Sequence, residues 1–191
     1  MAKKESRRLV IDASVARSAT LSDNPTSNAC REFLQAIFDV CHKIVLTAEI
    51  YREWDHNALQ IRSPADRRRA RFLVDWMLAM ARRKGGKILR TRVARDEELR
   101  NKINHLGLPE QSRQEIAEDL HLVEAALASD SIVVSRDDSA RALLQSITGS
   151  CPELAKVVWC NPVDLREEAL QWLETGARSV KVWQLGSKRS R

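Results

Sequence analysis

Short apolar runs without strict alternation restrict this chain more than any other feature. Segments 9–11, 44–46, 132–134 and 157–159 are rich in Val, Ile and Leu. They are too short for helices and too evenly apolar for strands with one wet face, so they read as strands buried on both sides. A fifth run, 88–89, is weaker. Segments of helical period lie between them at 28–41, 48–61, 64–83, 112–128, 139–147 and 163–174. Strands alternating with helices predict an α/β fold in three α/β/α layers, with a central parallel sheet covered on both faces.

In such a sheet, ligands gather beyond the carboxyl ends of the strands, so acids at those ends stand out. Leu9-Val10-Ile11 runs directly into Asp12, and Ile132-Val133-Val134 is followed by Ser135, Arg136, Asp137 and Asp138. A single strand-terminal Asp is commonly a cap or turn residue; two in one sheet point to a shared site. The helices add two more acids. At about 100° per residue, Ile116, Leu120, Val123 and Leu127 form a stripe with Asp119 at its edge, while Glu115, Glu118 and Glu124 fall outward. In 48–61, Ile50, Trp54 and Ile61 form the stripe and Glu53 borders it. Glu49 competes for that role but lies further from the stripe.

An ionised carboxylate facing a core costs several kcal/mol unless paired or bound to a cation. The bland alternative is a salt bridge, yet apart from Arg136 the inward stripes and strands offer no obvious basic partner. Hard oxygen donors around a divalent cation resolve the repulsion.

These residues resemble the PIN-domain nucleases, the family that includes the VapC-type toxins. The likeness rests on Val10-Ile11-Asp12-Ala13-Ser14, on Thr47 followed by Glu53, on the run from Asp119 to Ala126, on Val133-Val134-Ser135-Arg136-Asp137-Asp138, and on Trp159-Cys160-Asn161-Pro162 entering a helix. It covers roughly residues 8–174. The resemblance implies strand order 3-2-1-4-5 and metal-dependent endonucleolytic cleavage of RNA phosphodiester bonds. It implies Asp12, Glu53, Asp119 and Asp137 as catalytic acids. Asp12 and Asp119 would hold Mg²⁺ or Mn²⁺ directly, with Asp137, Glu53 and Asp138 assisting. Ser14 and Ser135 would orient the carboxylates or meet RNA. His121, two positions from Asp119, is expected on another face, at the surface or behind a ligand.

The chain departs from compact toxins in the long stretch between Glu53 and Asp119. A PIN-like domain over 1–175 would carry a basic helical insertion at about 62–110, and 176–191 would form a basic extension. Arg67, Arg68, Arg69 and Arg71 would track an RNA backbone; a merely solvated helix face is the other reading. A non-catalytic PIN-like module binding RNA or protein is the alternative function. An antitoxin or other protein partner and a homodimer are compatible with both. A phosphatase of the haloacid-dehalogenase type would need Asp where Ser14 stands, and the acid pattern does not fit a receiver domain.

The rest of the composition bounds these readings. The chain has 191 residues, 43% hydrophobic and 30% charged, enough for one well-cored domain. A formal charge of +6 and a pI near 9.4 favour an anionic partner, nucleic acid first. With neither a membrane-length apolar run nor a signal-peptide pattern at the N-terminus, a cytoplasmic location is expected. Cys30, Cys41, Cys151 and Cys160 lack zinc-ligand spacing and read as reduced, mostly buried thiols, with a Cys151–Cys160 bridge as the alternative. Trp54, Trp76 and Trp172 fall on apolar stripes. Trp183 is expected to be exposed, beside an edge strand at 180–185 and a disordered basic end.

Overall fold

The computed structural model describes residues 6–59 and 63–187. Five strands, β1 (Arg8–Ile11), β2 (Lys43–Leu46), β3 (Ile88–Arg90), β4 (Ile132–Val134) and β5 (Val158–Cys160), form one sheet. It is parallel throughout and ordered β3-β2-β1-β4-β5. Parallel neighbours require crossovers, which the intervening helices supply. β1 is central: Val10 registers with Val45 on one side and Val133 on the other. Leu9, Val10 and Ile11 are buried, as uniformly apolar runs require.

The helices are α1 (Ala13–Ser18), α2 (Pro25–Asp39), α3 (Ala48–Trp54), α4 (Pro64–Arg82), α5 (Glu97–Asn104), α6 (Glu110–Leu127), α7 (Asp138–Ser146) and α8 (Pro162–Glu174). α2 packs extensively on α8 and also meets α1 and α4, whereas α6 packs on β1, β4, α5 and α7. α3 touches both α1 and α6. No described helix is long and apolar enough to cross a membrane.

Several boundaries differ from expectation for identifiable reasons. α2 begins at Pro25 rather than Asn28, because the Asn24 side chain caps it by accepting from the Ser27 amide at 2.9 Å and Pro25 suits the first helical position. The helix expected over 48–61 stops at Trp54 and passes into a π-helical turn at Asp55–Leu59; Ile61 lies outside the described residues. β5 is displaced by one residue from 157–159. The stretch read as an insertion supplies α4, the edge strand β3 and α5.

Two side chains overturn their sequence assignments. Glu124, expected to face outward, is buried and accepts two bonds from Arg100 at 2.8 Å each and one from the Asp96 amide at 2.9 Å. Glu124 reads from sequence as lying off the apolar stripe of α6, and α5, docked over α6, covers it through Arg100 and the Asp96 amide. Trp183 is also buried, meeting Trp172 edge-on with ring centroids 5.3 Å apart. Its segment is not a full edge strand. It forms a 3₁₀ turn at Lys181–Trp183 and a single antiparallel bridge, Val158 to Gln184, while the Leu185 amide donates to Val157 O at 2.9 Å. Gly186 then lies so close to Ala155 that a Cβ there would stand 2.7 Å from the Ala155 methyl. The expected basic end, 188–191, lies outside the described residues. None of the four cysteines is in a disulfide, three being buried and Cys41 exposed, so Cys151 and Cys160 form no bridge.

Because the C-terminal segment closes the β5 edge with a buried aromatic, Trp183→Ala should lower unfolding free energy by about 3–5 kcal/mol. Urea denaturation measures this. A loss within about 0.5 kcal/mol, the range of ordinary surface changes, would show that the segment is peripheral.

Candidate functional site

Asp12 continues β1 beyond its last paired residue, its amide donating to Val134 O at 2.9 Å. The parallel ladder therefore fixes its position, and only 8% of the residue is exposed. Two hydroxyls fix its carboxylate: Ser14 and Ser135 both donate to Oδ2, the latter at 2.6 Å. Each serine oxygen also accepts a backbone amide, Ser14 from Arg136 at 3.1 Å and Ser135 from Asp137 at 3.0 Å. This cross-link ties the β1 end to the β4 end and leaves Oδ1 of Asp12 for a ligand. Ser135 is fully buried, so its hydroxyl orients Asp12 and is not presented to a macromolecule.

Asp137 is the N-cap of α7, with Oδ1 accepting from the Ala140 amide at 2.8 Å. Its residue is exposed, as is that of Asp138. Asn161, buried at the end of β5, donates to Asp138 at 3.2 Å and to Asp164 at 3.1 Å, and its Oδ1 accepts from the Val163 amide at 3.0 Å to cap α8. Sequence reading gave Asn161 no role of its own; its signal was the strand-Asn-Pro-helix pattern.

α6 brings Asp119 to the same neighbourhood, half-buried. Burial, then the negative charges of Asp12 and Asp137, and to a smaller extent Glu53, push its pKa up to about 7. His121 opposes these effects without outweighing them. All four predicted acids therefore share one electrostatic field. Glu49 is turned elsewhere, 3.9 Å from Arg95.

Of the two positions expected for His121, at the surface or behind a ligand, the structure has the second. Its Nδ1 donates to Glu118 O at 2.8 Å, turning the ring so that Nε2 stands 3.2 Å from Glu53 Oε1, with the side chain only 10% exposed. Burial disfavours the imidazolium, but Glu53, the Glu118 carbonyl and Asp119 together hold its pKa above the ordinary value. His121 therefore lies between the α3 and α6 acids.

The acids share a field without closing into a tight chelate. Among the described residues, no three His, Cys, Asp or Glu side chains are grouped closely enough to hold one ion together. Asp119 nevertheless takes no ion pair or hydrogen bond within the described residues, in contrast to Glu124 on the same helix. No family model, curated protein or solved structure matches the chain.

Arg67, Arg68, Arg69 and Arg71 are all exposed near the start of α4, whose opposite face buries Ala70, Leu73, Trp76 and Met80. Arg71 stands 3.8 Å from Asp75, a solvent-exposed pair of little energetic weight.

The Asp119 carboxyl has a definite pH signature. With its folded pKa raised to about 7 from an ordinary 3.8, the folded state keeps a proton that the unfolded chain releases between those values. Stability without divalent cation should thus fall as pH rises through that window. Asp119→Asn should remove this decline and match or exceed wild-type stability at neutral pH. Urea melts in chelator across the window test this. A mutant several kcal/mol less stable than wild type would make Asp119 a structural partner.

Proposed function

We propose that the chain is a metal-dependent endoribonuclease of the PIN type, hydrolysing RNA phosphodiester bonds at the carboxyl edge of β1 and β4. The observation that carries this reading is Asp119, partly withdrawn from water among Asp12, Asp137 and Glu53 without a compensating ion pair. A structural acid in that position is normally paired, as Glu124 is.

The donor set fits Mg²⁺ or Mn²⁺, because every candidate ligand is a carboxylate oxygen. Asp12 Oδ1 and Asp119 would hold the ion, with Asp137 Oδ2, Glu53 and Asp138 assisting, directly or through water. When bound, such an ion activates water as nucleophile and stabilises the departing oxygen. Ser14 and Ser135 keep Asp12 in one orientation. His121 holds Glu53 toward the site. The exposed arginines of α4 supply positive charge for an RNA backbone. A toxin with a protein antitoxin is one biological setting for such an activity.

The open spacing of the carboxylates favours a second reading, a module of the same fold that binds RNA without cutting it. A labelled RNA pool separates the two. The nuclease reading expects degradation with Mg²⁺ or Mn²⁺ and none in chelator, and loss by more than about 100-fold in Asp12→Asn. Ser135→Ala, which only releases the orientation of a ligand, should lose about 10–100-fold. An intact RNA pool with either metal would favour the binding module. Reversing Arg68, Arg69 and Arg71 to Glu should weaken RNA binding and flatten its dependence on salt, by about 0.7 per lost phosphate contact. An unchanged slope would make that face of α4 an ordinary solvated surface.

A further inference from the structure

Beside the acidic site lies a groove that neither the four acids nor the α4 arginines include. Its volume is about 680 Å³, and it is bounded by the end of β2, the outer face of α3 and the segment leaving β3. Parallel pairing brings these elements together: Leu46 registers with Arg90, and the Thr91 amide donates to Leu46 O at 3.3 Å.

The groove is basic. Arg52, Arg90 and Arg92 line it, all exposed, against one acid, Glu49, whose charge already faces Arg95 at 3.9 Å. It also contains an aromatic side chain, Tyr51, 37% exposed. The Arg90 guanidinium lies over the Tyr51 ring, 5.5 Å from its centroid. A partly exposed ring with one guanidinium over it and two more arginines in the same groove combines a π-face for an unpaired base with charges for its phosphates. Stacked base pairs present no free face to such a ring, so the geometry selects single strands.

The groove extends along β3 and opens on the carboxyl edge of the sheet. Arg90, Thr91, Arg92 and Val93 also line a second cavity of about 790 Å³ along β3, which reaches Arg8. Because the sheet is parallel throughout and β2 is the strand next to β1, the ends of β2 and β3 that line the groove lie on the same edge of the sheet as Asp12 and Asp137.

We infer that this groove seats single-stranded RNA, with an unpaired base stacked on Tyr51 and adjoining phosphates held by Arg52, Arg90 and Arg92, so that the strand is delivered to the carboxyl edge of β1. The inference rests on the nuclease reading for its substrate class, but its test needs no cleavage. The probe is a fluorescein-labelled oligouridylate, and the readout is anisotropy with the full chain in chelator. Thermal melts check that each variant folds.

Tyr51→Ala should weaken binding roughly fivefold or more, while Tyr51→Phe, which keeps the ring, should bind like wild type. Arg90→Gln with Arg92→Gln should weaken binding and reduce the salt slope by about 1.4, two phosphate contacts' worth. Unlabelled single strands should compete better than duplex RNA of equal length. Wild-type affinity in Tyr51→Ala, an unchanged slope in the arginine pair, equal competition by duplex, or no binding by wild type would each overturn the proposal. Metal-dependent cleavage with unaltered binding in these variants would remove the groove and leave the nuclease reading. Groove-dependent binding without cleavage in any metal would do the reverse.

Discussion

The structure depends on β1 being paired on both edges and covered on both faces. Leu9, Val10 and Ile11 are buried, and β2 and β4 take up their backbone groups. A strand in that position cannot slip in register without moving polar residues into the core. The residue that follows it is therefore fixed with the precision of the sheet. That residue is Asp12, and the Ser14 and Ser135 hydroxyls convert a fixed backbone into a fixed carboxylate.

Helix α6 gives an internal comparison of what a covered acid needs. Glu124 and Asp119 lie five residues apart on it. Glu124 is satisfied by a two-bonded guanidinium and a backbone amide, and it joins α5 to the body of the fold. Asp119 instead lies in the field of Asp12, Asp137 and Glu53, and burial with their charges raises its pKa. Desolvation and like charge both disfavour its ionised form. A fold that needed only stability would not collect these four groups at one edge, which is why a cation-binding role is the reading we favour.

The sheet and the approximate positions of the acids were legible in the sequence because both follow from short-range rules. Uniform apolar runs marked the four principal strands, and the helical period placed Asp119 and Glu53 at the borders of their stripes. What was not legible depends on elements meeting across the fold. Glu124 turned inward only because α5 docks over it, and α5 belongs to a stretch that reads as charged surface. Trp183 was buried by Trp172, near the C-terminal end of α8, once the chain had turned back onto β5. His121 faced Glu53 because its ring turns back to the Glu118 carbonyl, a side-chain rotation that a helical wheel does not contain. The Tyr51 groove was hidden for a similar reason: its arginines come from two segments nearly forty positions apart, joined only by pairing of β2 with β3.

Whether the four carboxylates take up a divalent cation, as proposed, can be read directly from a crystal. The most direct measurement is anomalous scattering from a crystal of the protein soaked in Mn²⁺. A peak is expected at ligand distance from the Asp12 and Asp119 carboxylates, absent from a crystal of Asp12→Asn treated identically. No peak at that edge of the sheet, at a concentration that saturates ordinary carboxylate sites, would contradict the proposal.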